Sequence, residues 1–181
     1  GETDPAVRED IYKNSFESLA RNGEILNIFT NSTTRSEVTT YQNAMEKTAA
    51  YQASMEKIAN SSTAMDAVSS SSTARNVIGT NDGDSVGFTE VAANNMAIGK
   101  YAVGHAGLTP SNYADMDAVA SSNTAMDAVA STNSARSAIG TSDSDSIGYT
   151  KISNSNMAIG KYVAGYAGLT PSNYTDMTEI A

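Results

Sequence analysis

The sequence predicts a fibrous, repeat-containing α+β protein, a parallel homotrimer in which α-helical coiled-coil segments alternate with short β or glycine-rich segments. Three observations carry this expectation. Residues 62–120 are written again at 123–181, at a constant offset of 61 positions, without a gap and with about 60% of aligned positions identical. A finer row of ten residues runs from Thr33 to Gly79. Bulky apolar residues are scarce, with three Phe and no Trp in 181 residues against abundant Ala, Ser, Thr and Asn. A fixed period marks stacked units that cannot bury their apolar face alone. A thin chain of small residues then looks to copies of itself for the rest of its core.

Composition and charge narrow the functions. The formal charge is −9, and acids exceed bases on both sides of residue 60. No basic stripe exists to neutralise phosphates, so neither nucleic acid nor an anionic membrane surface is expected as a partner. No apolar run reaches the length of a membrane span, and no signal-peptide pattern opens the sequence. Cysteine is absent, which removes disulfides, thiolate metal sites and a cysteine nucleophile. Stability has to come from packing.

The first segment differs from all that follows. Asp4 before Pro5 starts a helix, and Ile11, Phe16 and Leu19 lie on one helical face that Arg21-Asn22-Gly23 closes. Ile25, Ile28 and Phe29 follow in the most hydrophobic piece of the chain. These residues read as an N-terminal docking or trimer-clamp segment over residues 1–31, with a small local core as the alternative.

Residues 32–61 read as coiled-coil helix. Tyr41 and Met45, then Tyr51, Met55 and Ile58, then Met65 and Val68, recur at spacings of three and four. With Met116, Met126 and Val129 from the repeats, they form the expected trimer core. Ten residues over three turns is about 3.3 per turn, tighter than a heptad coiled coil. The chain must either supercoil strongly or break into short helices. Thr63-x-x-Asp66 and Thr124-x-x-Asp127 resemble capping boxes and favour restarting in the later decads. The stretch from about Ser36 to Asn60, with fewer serines, is expected to stay continuous.

Repeat units at 62–122 and 123–181 complete the domain plan. Gly79 and Gly140 end helices, and the Asp-rich turns after them lead into the alternating stretch Ser85 to Val91, which reads as a strand. Met96 to Leu108, with Gly99, Gly104 and Gly107, reads as a strand or strand pair, with Ala-Gly helix packing as the alternative. Thr109-Pro110 then opens a helix that runs through Met116 into the next decad.

Little in the chain suggests chemistry. His105 is the only histidine and its copy is Tyr166, an exchange that a catalytic base would not survive. The turns carrying Asp82 and Asp84, and Asp143 and Asp145, present alternating acids but lack the later ligand of an EF-hand, so solvated turns are expected rather than Ca²⁺ sites. Gly99-Lys100 and Gly160-Lys161 hold half of a phosphate-loop motif and lack the glycine spacing before it. Arg75 and Arg136 replace the Met of other decads and are expected to extend outward, with a helix-end carbonyl or an anion as the alternative partner. No catalytic residue, metal or cofactor is expected, and the chain reads as a non-enzyme.

The decad Ser-Ser-Thr-Ala-Met-Asp-Ala-Val at residues 61–68, nearly repeated at 122–129, resembles repeats in long tail-fibre and appendage proteins of tailed bacteriophages. The resemblance covers most of residues 41–181. It implies a homotrimeric, intertwined fibre in the virion tail, acting as a spacer or connector that supports host attachment. Its N-terminal segment would bind other tail or baseplate proteins, and a host receptor would be met through regions beyond this chain. Asn95 to Gly99 and its copy are similar to head repeats of trimeric autotransporter adhesins, which would imply the stalk or head of an adhesin on a bacterial cell surface.

Overall fold

The structure, a computed structural model, describes residues 3–8, 19–21 and 25–180. Residues 5–8 are helical, and Asp4 Oδ1 accepts the Ala6 N–H at 2.9 Å, as the Asp-Pro start predicts. From Leu26 the chain is a succession of short helices. They are α1 (Leu26–Thr30), α2 (Ser32–Thr40), α3 (Gln42–Ala49), α4 (Gln52–Ala59), α5 (Ser62–Ser70), α6 (Ser72–Ile78) and α7 (Val86–Ala92). Then follow α8 (Asn95–His105), α9 (Met116–Ala120), α10 (Asn123–Ser131), α11 (Asn133–Ile139), α12 (Ile147–Ser153) and α13 (Asn156–Tyr166). Pro110–Asn112, Pro171–Asn173 and Met177–Glu179 are single 3-10 turns.

Each decad is one helix and one corner. Tyr41, Tyr51, Ser61, Ser71, Ser122 and Thr132 are extended, with φ from −90 to −113° and ψ from 110 to 120°. The corner N–H donates to the carbonyl three residues back, as Ser61 does to Ile58 at 2.9 Å and Tyr51 to Thr48 at 3.3 Å. Its own carbonyl accepts from the N–H four residues on, as Ser61 does from Met65 at 2.9 Å. One residue therefore closes one helix and opens the next with both backbone groups paired. Where it is serine, its hydroxyl adds an N-cap bond, from the Ala74 N–H to Ser71 and from Ala125 to Ser122, both at 3.2 Å.

With the corner as position one, positions four, five, eight and nine point inward. Ala44, Met45, Thr48 and Ala49 are buried, as are Ser54, Met55, Ile58 and Ala59, and Ala125, Met126, Val129 and Ala130. Helices of eight residues are marginal alone and depend on such burial. The chain divides into two compact units, Gly1–Val91 and Ala92–Ala181. In the first unit α1 packs on α4, α2 on α5 and α3 on α6. In the second, α8 packs on α11, α9 on α12 and α10 on α13. Within each unit, a helix rests on the helix three further along, so the chain passes through three helices per turn.

This arrangement corrects the expected fold class. No strand occurs among the described residues. Ser85 to Val91, read as a strand, is α7 with its cap: Ser85 Oγ accepts the Phe88 N–H at 3.1 Å. The apparent alternation fails because Phe88 is buried while Val86 is 45% exposed, and Gly87 between them lies against Met55 and Ala49. Met96 to Leu108 is α8 and its exit turn, with Gly99 where the Asp115 backbone comes close. The stretch from Ser36 to Asn60 is not continuous coiled coil; α2, α3 and α4 are separate, because the extended corners at Tyr41 and Tyr51 form without any side-chain cap. Thr109-Pro110 opens only one 3-10 turn, after which Asp115 caps α9 anew through the Ala118 N–H at 2.9 Å. The fibrous α+β reading, with continuous coiled coil and β segments, gives way to a succession of short packed helices among the described residues.

The core thus closes within each unit, which gives an expected outcome. Met65→Ala should lower the unfolding free energy by about 2–5 kcal/mol, the usual range for emptying a buried Met site. The thermal midpoint should not change over a hundredfold dilution, as it would if subunit association held the core. Calorimetry at two chain concentrations reads both.

Candidate functional site

The glycine and lysine of the Gly-Lys pairs serve packing. A Cβ on Gly99 would lie 2.4 Å from the Asp115 carbonyl carbon, and one on Gly160 2.3 Å from that of Asp176. Glycine here admits the start of the next element directly against the helix. Lys100 and Lys161 are buried, and their Nζ atoms donate to the Pro110 and Pro171 carbonyls at 3.3 and 3.4 Å. Lys161 also pairs with Asp127 at 2.7 Å. Neither lysine is presented to a phosphate. Asp127 therefore forms an ion pair instead of closing a capping box, and the cap belongs to Ser122. A buried lysine was not legible in the sequence; the clue was that both copies retain Gly-Lys on a stretch otherwise apolar.

The Asp turns follow the same division of labour in both copies. Gly79 and Gly140 take φ of 84° and 83°, which only glycine adopts freely, and end α6 and α11 as their position predicts. Asp84 Oδ2 then accepts the Thr80 and Asn81 N–H groups at 2.7 and 3.1 Å, and Asp145 Oδ2 those of Thr141 and Ser142 at 2.6 and 3.0 Å. These bonds, that of Thr80 first for Asp84 and that of Thr141 first for Asp145, hold both carboxyls below the usual carboxylate range. Asp82 and Asp143 accept from Thr89 and Thr150 at 3.4 and 3.0 Å. The carboxylates bond within their own loops or to the helix that follows, and among the described residues no three His, Asp or Glu side chains gather as metal ligands.

The arginines turn inward rather than outward. Arg75 donates to the Ser69 carbonyl at 2.5 Å and Arg136 to the Ala130 carbonyl, each satisfying an orphan acceptor at the end of the preceding helix. The Arg136 guanidinium also lies 5.1 Å from the Tyr166 ring centre. Tyr162 donates to the Arg136 and Gly140 carbonyls, both at 2.9 Å, and burial pushes its hydroxyl far above its ordinary pKa. It remains neutral and holds the end of α11. Tyr166 meets Tyr162 edge-on at 5.2 Å, as His105 meets Tyr101 at 4.7 Å. His105 and Tyr166 thus fill one structural role, an aromatic ring over the tyrosine one turn back.

The expected trimer-core residues are distributed through these interiors. Met45, Met55, Ile58, Met65, Val68, Met116, Met126 and Val129 are buried, whereas Tyr41 and Tyr51 are half-buried corners. Of the expected docking residues, Ile25 and Phe29 are buried and not presented to a partner. Leu19 and Ile28 are half-buried, and Ile11 and Phe16 lie outside the described residues. Among the described residues the exposed large apolar side chains lie elsewhere, and Tyr166 at 47% and Leu169 at 43% come together on α13 and its exit. Among the described residues no helix is long and apolar enough to cross a membrane.

Two outcomes test these roles. Asp127→Ala should destabilise the chain by about 1–3 kcal/mol, because it strips the buried Lys161 of its carboxylate, and Lys161→Met in the same chain should recover part of that loss. For the Asp turns, a folded pKa below the unfolded one means that their stabilisation is complete above the ordinary carboxylate range and is lost as pH falls through the lowered values. Asp84→Asn with Asp145→Asn should flatten that acid limb of a stability–pH curve, while chelators leave the melting temperature of the parent unchanged. No family model, curated protein or solved structure matches the chain.

Proposed function

We propose that the chain is a non-enzymatic structural module of a bacteriophage tail fibre or appendage, a spacer or connector that supports host attachment. The observation that carries this reading is the rule that each helix within a unit rests on the helix three further along. Such a rule lets length be set by repeat number while every interface stays of one kind. Inward positions pack, corners cap, and the polar clusters hold loops or helix ends. The decad cores close within each unit, which suits a spacer whose units pack by one rule. Its partners in this reading are other tail or baseplate proteins, reached through the part of the N-terminal segment before Ile25. Its location is the virion tail.

An antibody raised against the folded chain tests the assignment directly. Labelling along the tails of particles, in electron micrographs of the culture that expresses the gene, is the expected result. Labelling of the bacterial envelope with bare tails would overturn it. The spacer role has its own test in two deletions. Removing residues 62–122 brings α10, the copy of α5, onto α2 and keeps each interface matched, so unfolding should stay cooperative. Removing only residues 62–71 takes away α5 and sets α6 on α2 in place of α3, and should broaden the transition and lower its midpoint by several degrees, about 1–2 kcal/mol or more.

A further inference from the structure

We infer that one face of α13 is a docking surface for a further segment of the same decad chemistry, a pair of helices of the kind formed by α11 and α12. The argument rests on a comparison inside the second unit. Helices α8 and α13 are copies, and Ile98, Ala102 and His105 on α8 correspond to Ile159, Val163 and Tyr166 on α13. On α8 that face is covered by α11 and α12, with Ile98 Cγ1 3.1 Å from where a Cβ on Gly148 would stand. Ile98 and Ala102 are accordingly fully buried.

On α13 the same face is less covered among the described residues. Ile159 and Val163 are only half-buried, and Tyr166 is exposed where His105 is half-buried. The difference extends past the helix. Met116 and Val119 are fully buried in α9, which packs on α12, whereas their copies Met177 and Ile180 are half-buried. Where α9 is a helix of five residues, the copy is one 3-10 turn, Met177–Glu179. A surface that keeps the isoleucine, gains a valine and a tyrosine, and leaves the next element half-wound has the form of α8 without its cover. What fits it is what fits α8: a decad with Ala and Ile inward, an Asp turn, and a helix that opens on an apolar residue followed by glycine. The glycine leaves room for the isoleucine.

The chain lacks cysteine, so a single introduced thiol reports the face. Val163→Cys should react freely in the 181-residue chain, while Ala102→Cys, its counterpart on α8, should be protected. Extending the chain after Ala181 by a copy of residues 121–153 supplies the proposed occupant in register. Val163→Cys should then react about tenfold more slowly or less, and Ser172→Cys, on an exposed turn, should react as before. Copying Gly148→Val into the extension should restore the fast reaction at Val163→Cys. The proposal is overturned if the extended chain labels at the parental rate, whether or not circular dichroism shows added helix. Slowing of Ser172→Cys as well would indicate aggregation and count against it. Protection of Val163→Cys in the unextended chain that increases with concentration would make a second copy the occupant and overturn the one named here.

Discussion

Every ten residues the backbone leaves the helix for one extended residue and returns to it, and the rest of the structure depends on that corner. Its N–H reaches back three residues and its carbonyl accepts from four residues ahead, so the corner residue leaves neither of its own backbone groups unpaired. The conformation lies in the ordinary extended region and needs no glycine. With corners fixed at ten, the inward positions repeat at ten as well. Helices of seven to nine residues meet at equal intervals, and the fourth lands on the first.

Small residues at positions four and nine are what allow that landing. Ala44, Ala49, Ala59, Ala64 and Ala74 are buried beside the larger Met, Ile or Val, so helix backbones approach closely without voids. The glycines of α13 carry the same principle further. A Cβ on Gly165 would lie 2.0 Å from the Ala130 carbonyl oxygen of α10. Of the intervals longer than ten, the Asp turns are tied by local carboxylate and hydroxyl bonds and the Gly107 loop by backbone bonds, as from the Leu108 N–H to the Val103 carbonyl at 2.9 Å. Ser146 does both parts at once, donating to the Ile139 carbonyl at 2.6 Å and capping α12 through the Tyr149 N–H at 3.3 Å.

The sequence made the periods legible, and with them the helical character of the decads, the glycine stops at 79 and 140 and the Asp4 start. It also exposed the conflict of 3.3 residues per turn with a straight helix. The resolution by restarting was readable where serine supplied a cap and hidden where Tyr41 or Tyr51 stood at the corner, because a backbone-only corner has no side-chain signature. The apolar stripe was read as facing other chains because a single row of Met and Ile lacked an evident partner; the partner was the same row thirty residues later, with alanines completing it. The strand readings failed at Phe88 and around Gly99 for a related reason. Glycine in a helix costs about 1 kcal/mol against alanine, and only the approach of Ala49, Met55 or the Asp115 backbone explains its presence.

The outward half of each decad carries little of the packing. Gln42, Gln52, Ser62 and Ser72, and Glu46 and Glu56 with the half-buried Asp66, occupy equivalent places on successive helices, facing solvent wholly or in part and differing in size and charge. Their variety within one chain shows what the winding tolerates. Surface chemistry can drift at these places, changing hydration, charge density and the epitopes shown to the surroundings, while the interior grammar of Ala, Met, Val and corner stays intact. Such a chain can alter its appearance from one lineage to the next without learning to fold again.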